Sequence, residues 1–404
     1  KVHYTAEFYC GNMTVEMDDT DKLKVLYEDA TKNFGITFEP PDVNRGLYRF
    51  EPVTDKVIRY GLGAIKGTGQ AAIEAIIAAR EGRGDGPQGH IKGPFTSLFE
   101  FCVRVDRSRI NKRTVEALIK AGAFDAMELN RAALSATLDT AFDFAAATHA
   151  NANQCGLFDM MGDDAQGSST KEPELADVLP WGIKERLTLE KTALGFYLSG
   201  HLFDEVALEV RKFARTPIES LLDNREVQTI AGIITDYRVI NGQRGKLALF
   251  KLDDKTKVIE ASADESVINA SMPLKDDEFV VVSGRLQLDH FSGGLRVKVL
   301  QVSDLAAARA KYAKYLRVAV RGEVPDVASI AREFPPKVEN TEHGETLRRG
   351  LRVRLDMRIE SDRGAATAEL NLGDASSFFP TDAALAAWGS MAGSEAVSVV
   401  YDHG

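Results

Sequence analysis

The chain of 404 residues is 44% hydrophobic and 27% charged, an ordinary globular composition with room for two to four domains. No apolar run approaches the ~18–20 residues that span a bilayer, and the opening KVHYTAEFYCG lacks a signal peptide's basic-then-apolar order, so the expected location is cytoplasmic. A net charge of -10 excludes a uniformly basic coat for nucleic acid and leaves only local patches, while Cys10, Cys102 and Cys155 form no CxxC pair and give no zinc signal.

The first stretch that carries chemistry is YGLGAIKGTGQAAIEAI, Tyr60 to Ile76. Walker A requires GxxxxGK[ST], which is absent. A dinucleotide fingerprint requires GxGxxG, and Gly67 falls one residue too late after Gly61 and Gly63. The frame that fits is Ile65 to Ile73, h-x-G-x-G-x-x-A-h, the pattern of a helix-hairpin-helix. Glycine takes the positive φ of the bend without steric cost. Lys66, Gly67, Thr68, Gly69 and Gln70 then surround bare amides at a helix N-terminus, where partial positive charge meets an anion. Ala72, Ile73, Ile76 and Ile77 supply the buried stripe. Such a hairpin grips the duplex backbone and cannot read sequence, because phosphates carry none. The plainer alternative is a glycine-rich turn between two helices.

A second copy favours the hairpin. NKRTVEALIKAGAF, Asn111 to Phe124, reads as a helix ending in a bend at Gly122, with one glycine replaced by Ala121. Arg104, Arg107, Arg109, Lys112, Arg113 and Lys120 face only Asp106 and Glu116, which is +4 locally (six minus two). The alternative for such a run is a solvated face. Residues 59–145 are therefore read as a tandem helix-hairpin-helix domain that binds duplex DNA, its last helix spanning residues 130 to 150. A polar, acidic linker is expected at 146–178. Within it Gln154, Leu157, Phe158, Met160 and Met161 form an apolar cluster, either a docking peptide or a patch folding back on its own helix.

Residues 179–225 return to helix, a connector. Strands follow at Val227 to Ile240, Leu247 to Leu252 and Val258 to Ala263, with Asn241-Gly242 as the first turn. A short helix near Asp264 to Ala270 precedes strands at Phe279 to Leu288 and Leu295 to Val302. Five strands with a helix between the third and fourth is the order of an OB-fold, assigned to 226–303. Tyr237, Arg244, Lys246, Lys251, Phe291, Arg296 and Lys298 combine cations with stackable rings, as single-stranded DNA requires. They could equally be ordinary surface positions. After a helix at 304–315 the pattern reads strand, helix, strand, strand, helix, strand, a small C-terminal α+β domain (304–404). The expected class is multidomain α+β. Seven scattered histidines form no HxxxH, no GxSxG elbow occurs, and Asp253-Asp254 and Asp276-Asp277 sit in turns, so no catalytic or metal constellation is evident.

With that order in view the chain resembles the alpha subunits of bacterial DNA polymerase III, the C-family replicative polymerases. The resemblance rests on YTAEF (Tyr4 to Phe8), PPDVNRGLYRF (Pro40 to Phe50), YGLGAIKGTG, NKRTVEALIKAGAFD, LGFYLSGH (Leu194 to His201) and DHFSGGLRV (Asp289 to Val297). It implies that residues 1–58 end the fingers domain. It also implies that Gln154, Leu157 and Phe158 bind the beta sliding clamp and that the last domain binds the tau subunit of the clamp loader. The palm aspartates, with their Mg2+, would lie upstream, so this stretch holds no cofactor and is inactive alone. The absence of a starting Met fits a fragment. Two other readings stay open: the error-prone paralogue of this polymerase, and a non-catalytic DNA-repair scaffold of hairpin and OB modules.

Overall fold

The computed structural model describes residues 1, 3–85, 88–158, 171–224, 226–242, 245–270, 273–288, 294–321, 326–340, 346–361, 364–392 and 396–402. The chain divides into two compact units, Lys1–His201 and Leu202–Gly404.

The first unit begins with α1 (Thr5–Val15) and α2 (Thr20–Phe34). Asp19 caps α2 by accepting from the Lys22 N–H, and Gly35, at φ 64°, stops it. A three-stranded sheet follows in the order β1 (Thr37–Glu39), β3 (Val57–Arg59), β2 (Glu51–Thr54). The helices α3 (Gln70–Arg80), α4 (Leu98–Arg104), α5 (Lys112–Lys120), α6 (Arg131–Phe158) and α7 (Ile183–Leu194) complete the unit. Ile73, Ile76, Phe101, Leu118, Phe124 and Leu138 share one core with α1 and the sheet. Helix α6 runs to Phe158, beyond residue 146, where the sequence reading starts a linker. No proline interrupts the segment and its first glycine is Gly156, so alanine-rich propensity carries the helix on.

The second unit holds far less helix at its start than the sequence indicates. After a single turn, α8 (Ala207–Val210), the chain is largely irregular until the barrel. Pro217 disfavours helix at the residue before it and removes a donor, which keeps helix from running through residues 216–217. The barrel strands are β4 (Val227–Gly242), β5 (Gly245–Asp253), β6 (Val258–Asp264), β7 (Phe279–Leu288) and β8 (Leu295–Ser303), with α9 (Glu265–Ala270) between the third and fourth. They close in the order β4-β5-β6-β8-β7, with β6 and β8 parallel and β7 returning to β4. That is the OB-fold. Alternate residues such as Ala248, Phe250 and Leu252 fill its interior. Asn241 and Gly242 lie within β4, pairing with Lys246 and Gly245, so the turn falls after them.

Asp304 caps α10 (Leu305–Tyr312), which gives way at once to β9 (Ala313–Arg321). Then come α11 (Val327–Glu333), β10 (Lys337–Asn340), β11 (Thr346–Arg349), β12 (Val353–Ser361), β13 (Gly364–Asn371), α12 (Asp382–Ala392) and β14 (Val397–Tyr401). The order β13-β12-β9-β14 forms one sheet, and β10 and β11 form a separate pair. Leu316, Val318, Val353 and Leu355 pack with Phe378 and Trp388. Arg309 joins the parts of this unit: it bonds Glu209 at 2.8 Å and Asp382 at 2.6 Å, and the Tyr401 hydroxyl donates to Glu209.

Candidate nucleic-acid interface

The bend at Lys66–Gln70 follows a single 3-10 turn, Leu62–Ala64, and leads straight into α3. Gly67 has φ 83°, a conformation that a side chain resists, and Gly69 is the N-cap of α3 in extended geometry. No side chain caps that helix, and a Cβ built on either glycine meets nothing within 4 Å. The Ala72 amide is bonded to the Gly69 carbonyl, which leaves the amides of exposed Gln70 and Ala71 at the start of α3 with the helix dipole behind them. Thr68 holds the bend from inside, its hydroxyl 2.7 Å from the Ile65 carbonyl and 2.9 Å from that of Leu62. Ala72, Ile73 and Ile76 are buried behind it, while Ile77 is half-buried.

Two further elements fasten this bend. The Lys66 N–H donates to the Ala193 carbonyl at the end of α7, 2.8 Å away. The Thr114 hydroxyl in the first turn of α5 lies 3.4 Å from the Gly67 carbonyl. The N-terminus of α5 thus stands beside the N-terminus of α3. Asn111, the N-cap, and the exposed Lys112 and Arg113 flank the glycine bend, with exposed Arg107 and Arg109 in the approach to α5. Lys112 is paired with Asp139 and Arg109 lies 4.0 Å from Asp106, both exposed surface pairs that solvent screens.

Gly122 plays a different part from the one its motif suggests. It has φ 81°, its N–H donates to Ile119 O, and the next N–H, of Ala123, donates to Leu118 O. This is a Schellman stop for α5, and both amides are spent on it. The Arg131 guanidinium covers the glycine, only 2.2 Å from where a Cβ would be. Ten residues then separate α5 from α6, so this is no tight hairpin. Lys120, about 12 Å along α5 from Lys112 at 1.5 Å per residue, is half-buried and ion-paired with Glu116. Arg104, counted with the basic run, is buried and donates to the carbonyls of Ala79, Ile91 and Gly93. The patch is thus smaller than the residue tally implies, and it lies at the other end of α5.

Sequence reasoning missed Arg131. It bonds Asp125 at 2.6 Å, Glu190 at 3.2 Å and the Lys120 carbonyl at 3.1 Å. Glu190, equally buried, also accepts from the Leu198 and Ser199 amides. The network locks α5 to α7, the two helices that hold the bend. A charged residue opening a helix gives no hint of burial, so only the fold could reveal it.

On the barrel, Tyr237, Lys251 and Arg296 converge on one groove of about 450 Å3 with Arg238, Asp236 and Glu260. Three cations against two acids leave +1. Lys251 is paired with Asp236, Arg296 with Glu260, and Lys298 with Asp264. Lys246 is exposed near the end of the β4–β5 pair, outside the groove lining. Arg244 and Phe291 lie outside the described residues, as do the side chains of Gln154, Leu157 and Phe158. Among the described residues no group of three or more His, Cys, Asp or Glu side chains could hold a metal ion, and no helix is long and apolar enough to cross a membrane.

Comparison with known proteins agrees with these elements. A helix-hairpin-helix motif family matches residues 35–134. DNA polymerase III subunit alpha of Neisseria meningitidis serogroup B is 44% identical over 323 residues, covering 79% of this chain and 27% of that protein. The same subunit of Haemophilus influenzae is 34% identical over 407 residues, 100% of this chain and 33% of the relative. Among solved structures, the second OB-fold domain of replication protein A from Methanococcus maripaludis is similar to 22% of this chain and 93% of its own length, at 20% identity and a TM-score of 0.19. The barrel assignment stands on strand order and not on that likeness. The chain is a member of the DNA polymerase III alpha-subunit family, and it spans about a third of the length of the relatives it matches.

Proposed function

We propose that this chain is the part of a replicative polymerase, working in the cytoplasm, that holds DNA while an upstream palm domain carries out synthesis. Duplex primer-template is gripped at the Lys66–Gln70 bend together with Arg107, Arg109, Lys112 and Arg113. The observation that carries this reading is the convergence of two helix N-termini, α3 and α5, on an uncapped glycine bend. Backbone amides and cations there meet phosphates of any sequence. Lys120 and Gly122 support the site by ending α5 rather than by touching DNA.

Single-stranded template crosses the barrel groove at Tyr237, Lys251 and Arg296, with Lys246, Lys298, Arg244 and Phe291 as further contacts. The sliding clamp takes the peptide at Gln154, Leu157 and Phe158, the C-terminal end of α6. The C-terminal domain takes the tau subunit. A peptide that buries two side chains binds at about micromolar strength, near -8 kcal/mol. Tethered to a duplex-gripping domain it acts at an effective concentration of about millimolar, so release from DNA becomes rare. Processivity is then a consequence of linked weak sites. The test is duplex affinity measured with unrelated DNA sequences: Gly67→Val is expected to weaken all of them equally, and unchanged affinity would remove the bend from the site.

A further inference from the structure

The sheet of the C-terminal domain has two edges, β13 and β14, and they differ. Residues 366–371 of β13 are exposed, and Glu369 is tied back to Arg354 on the neighbouring strand at 2.5 Å. A charge on an edge strand blunts it against pairing. At β14 two hollows, of about 550 and 510 Å3, meet at Ser398 and Val399. The first is bounded by Leu385, Ala386 and Gly389 of α12, and the second by Lys212 and Arg215 with one acid, Asp402, so cations outnumber acids two to one there.

Val397, Val399 and Leu385 pack against the core of this domain and are only half-buried. Their cross-strand partners Val318 and Leu316 are fully buried. The core is unfinished at this edge. A strand bonded on one side also turns alternate N–H and C=O groups outward, and another strand satisfies both kinds.

We propose that the β14 edge accepts an extended peptide of a partner protein as a fifth strand. Its alternate apolar residues would cover Val397, Val399 and Leu385, and acidic residues would meet Lys212 and Arg215. Nucleic acid fits less well, because phosphates only accept hydrogen bonds and cannot cover the apolar half. A second copy of β14 is the competing occupant, and the oligomeric state measured by sedimentation distinguishes it from the peptide. The inference deepens the partner-binding reading of this domain and rests on it only for the partner's identity.

The test uses the full chain and a fluorescein-labelled probe of alternating valine and threonine with two aspartates, placed at either terminus. One of the two probes is expected to bind. N-methylation of its alternate amides, which leaves every side chain in place, should weaken it about tenfold in one register and little in the other. Lys212→Glu with Arg215→Glu should weaken it by a similar factor of about ten, near 1.4 kcal/mol. Failure of both probes, indifference to N-methylation in both registers, or dimerisation of the chain through this edge in sedimentation would each overturn the proposal. Tau subunit forms a separate arm. If tau binds wild type and the double variant equally while both probes fail, the groove is wrong and the partner reading survives. If a probe binds and tau does not, the groove stands without that partner.

Discussion

Removing the Arg113 guanidinium should change the salt dependence of duplex binding, whereas removing the Lys120 ammonium should not. Both residues lie on α5, in a run that reads as uniformly basic. Arg113 is exposed in the first turn, beside Thr114 and the Gly67 bend; Lys120 is at the far end, paired with Glu116. Each phosphate contact contributes about 0.9 to the slope of log affinity against log salt. Over a fourfold rise in salt, about 0.6 log units, one contact accounts for about 0.5 log units, a roughly threefold difference in affinity. Arg113→Ala should thus flatten the slope by about 0.9, and Lys112→Ala with Arg113→Ala by about 1.8. Fluorescence anisotropy with a blunt duplex between about 50 and 200 mM salt covers the range in which such slopes are read. Equal loss of slope for Arg113→Ala and Lys120→Ala would refute the assignment of the interface to the α3 and α5 N-termini.

Four further outcomes are expected. Gly67→Val should weaken duplex binding through its positive φ, while Gly69→Ala, at φ -79° with open space around it, should bind nearly as wild type; equal effects would separate the bend's conformation from its function. Leu157→Ala with Phe158→Ala should abolish clamp-stimulated synthesis by the full-length polymerase and leave clamp-free duplex affinity intact, measured by primer extension and anisotropy. Glu190→Ala removes one of the two carboxylate partners of buried Arg131 and the acceptor of the Leu198 and Ser199 amides, and should cost about 1–3 kcal/mol of stability in urea unfolding. Acid should weaken the second unit. Burial pushes the Glu209 and Asp254 carboxyls up, but hydrogen bonds and charge from Arg309 at the first, and bonds from Thr256 and Arg211 at the second, outweigh it and hold both below the usual range. Groups with lowered folded pKa stabilise above their unfolded values, about 4.3 and 3.9, and lose that contribution as pH falls through and below them. The urea midpoint of the barrel should drop below about pH 4, and Asp254→Asn should remove part of that dependence; a flat profile would count against these pairs.

The parts of this fold that were legible in the sequence are those with strict periodicity. Ala248, Phe250 and Leu252 take the inner face at period two, within an apolar run that also holds Leu247 and Leu249, and the five barrel strands fall where such runs between turn residues place them. The first glycine bend was legible because Gly67 and Gly69 together exclude most other uses. Gly122 misled because a positive-φ glycine after an apolar helical turn suits a hairpin and a Schellman stop alike; only the partners of its amide tell them apart. Charge counting failed at Arg104, since composition cannot tell a solvated cation from one bonded to buried carbonyls, and Arg131, outside the counted run, gave no signal at all. The short polar strands β10 and β11 lack the apolar alternation that signals a strand. The length of α6 depended on the absence of a stop signal, which is a weak kind of evidence.

The most direct measurement is the amide spectrum of the isotopically labelled chain titrated with a short duplex. Resonances of Gly67, Gly69, Gln70 and Arg113 should move together and saturably, while Gly122 and Ala123 stay in place. Movement at Gly122 with Gly67 and Gly69 unperturbed would contradict the account.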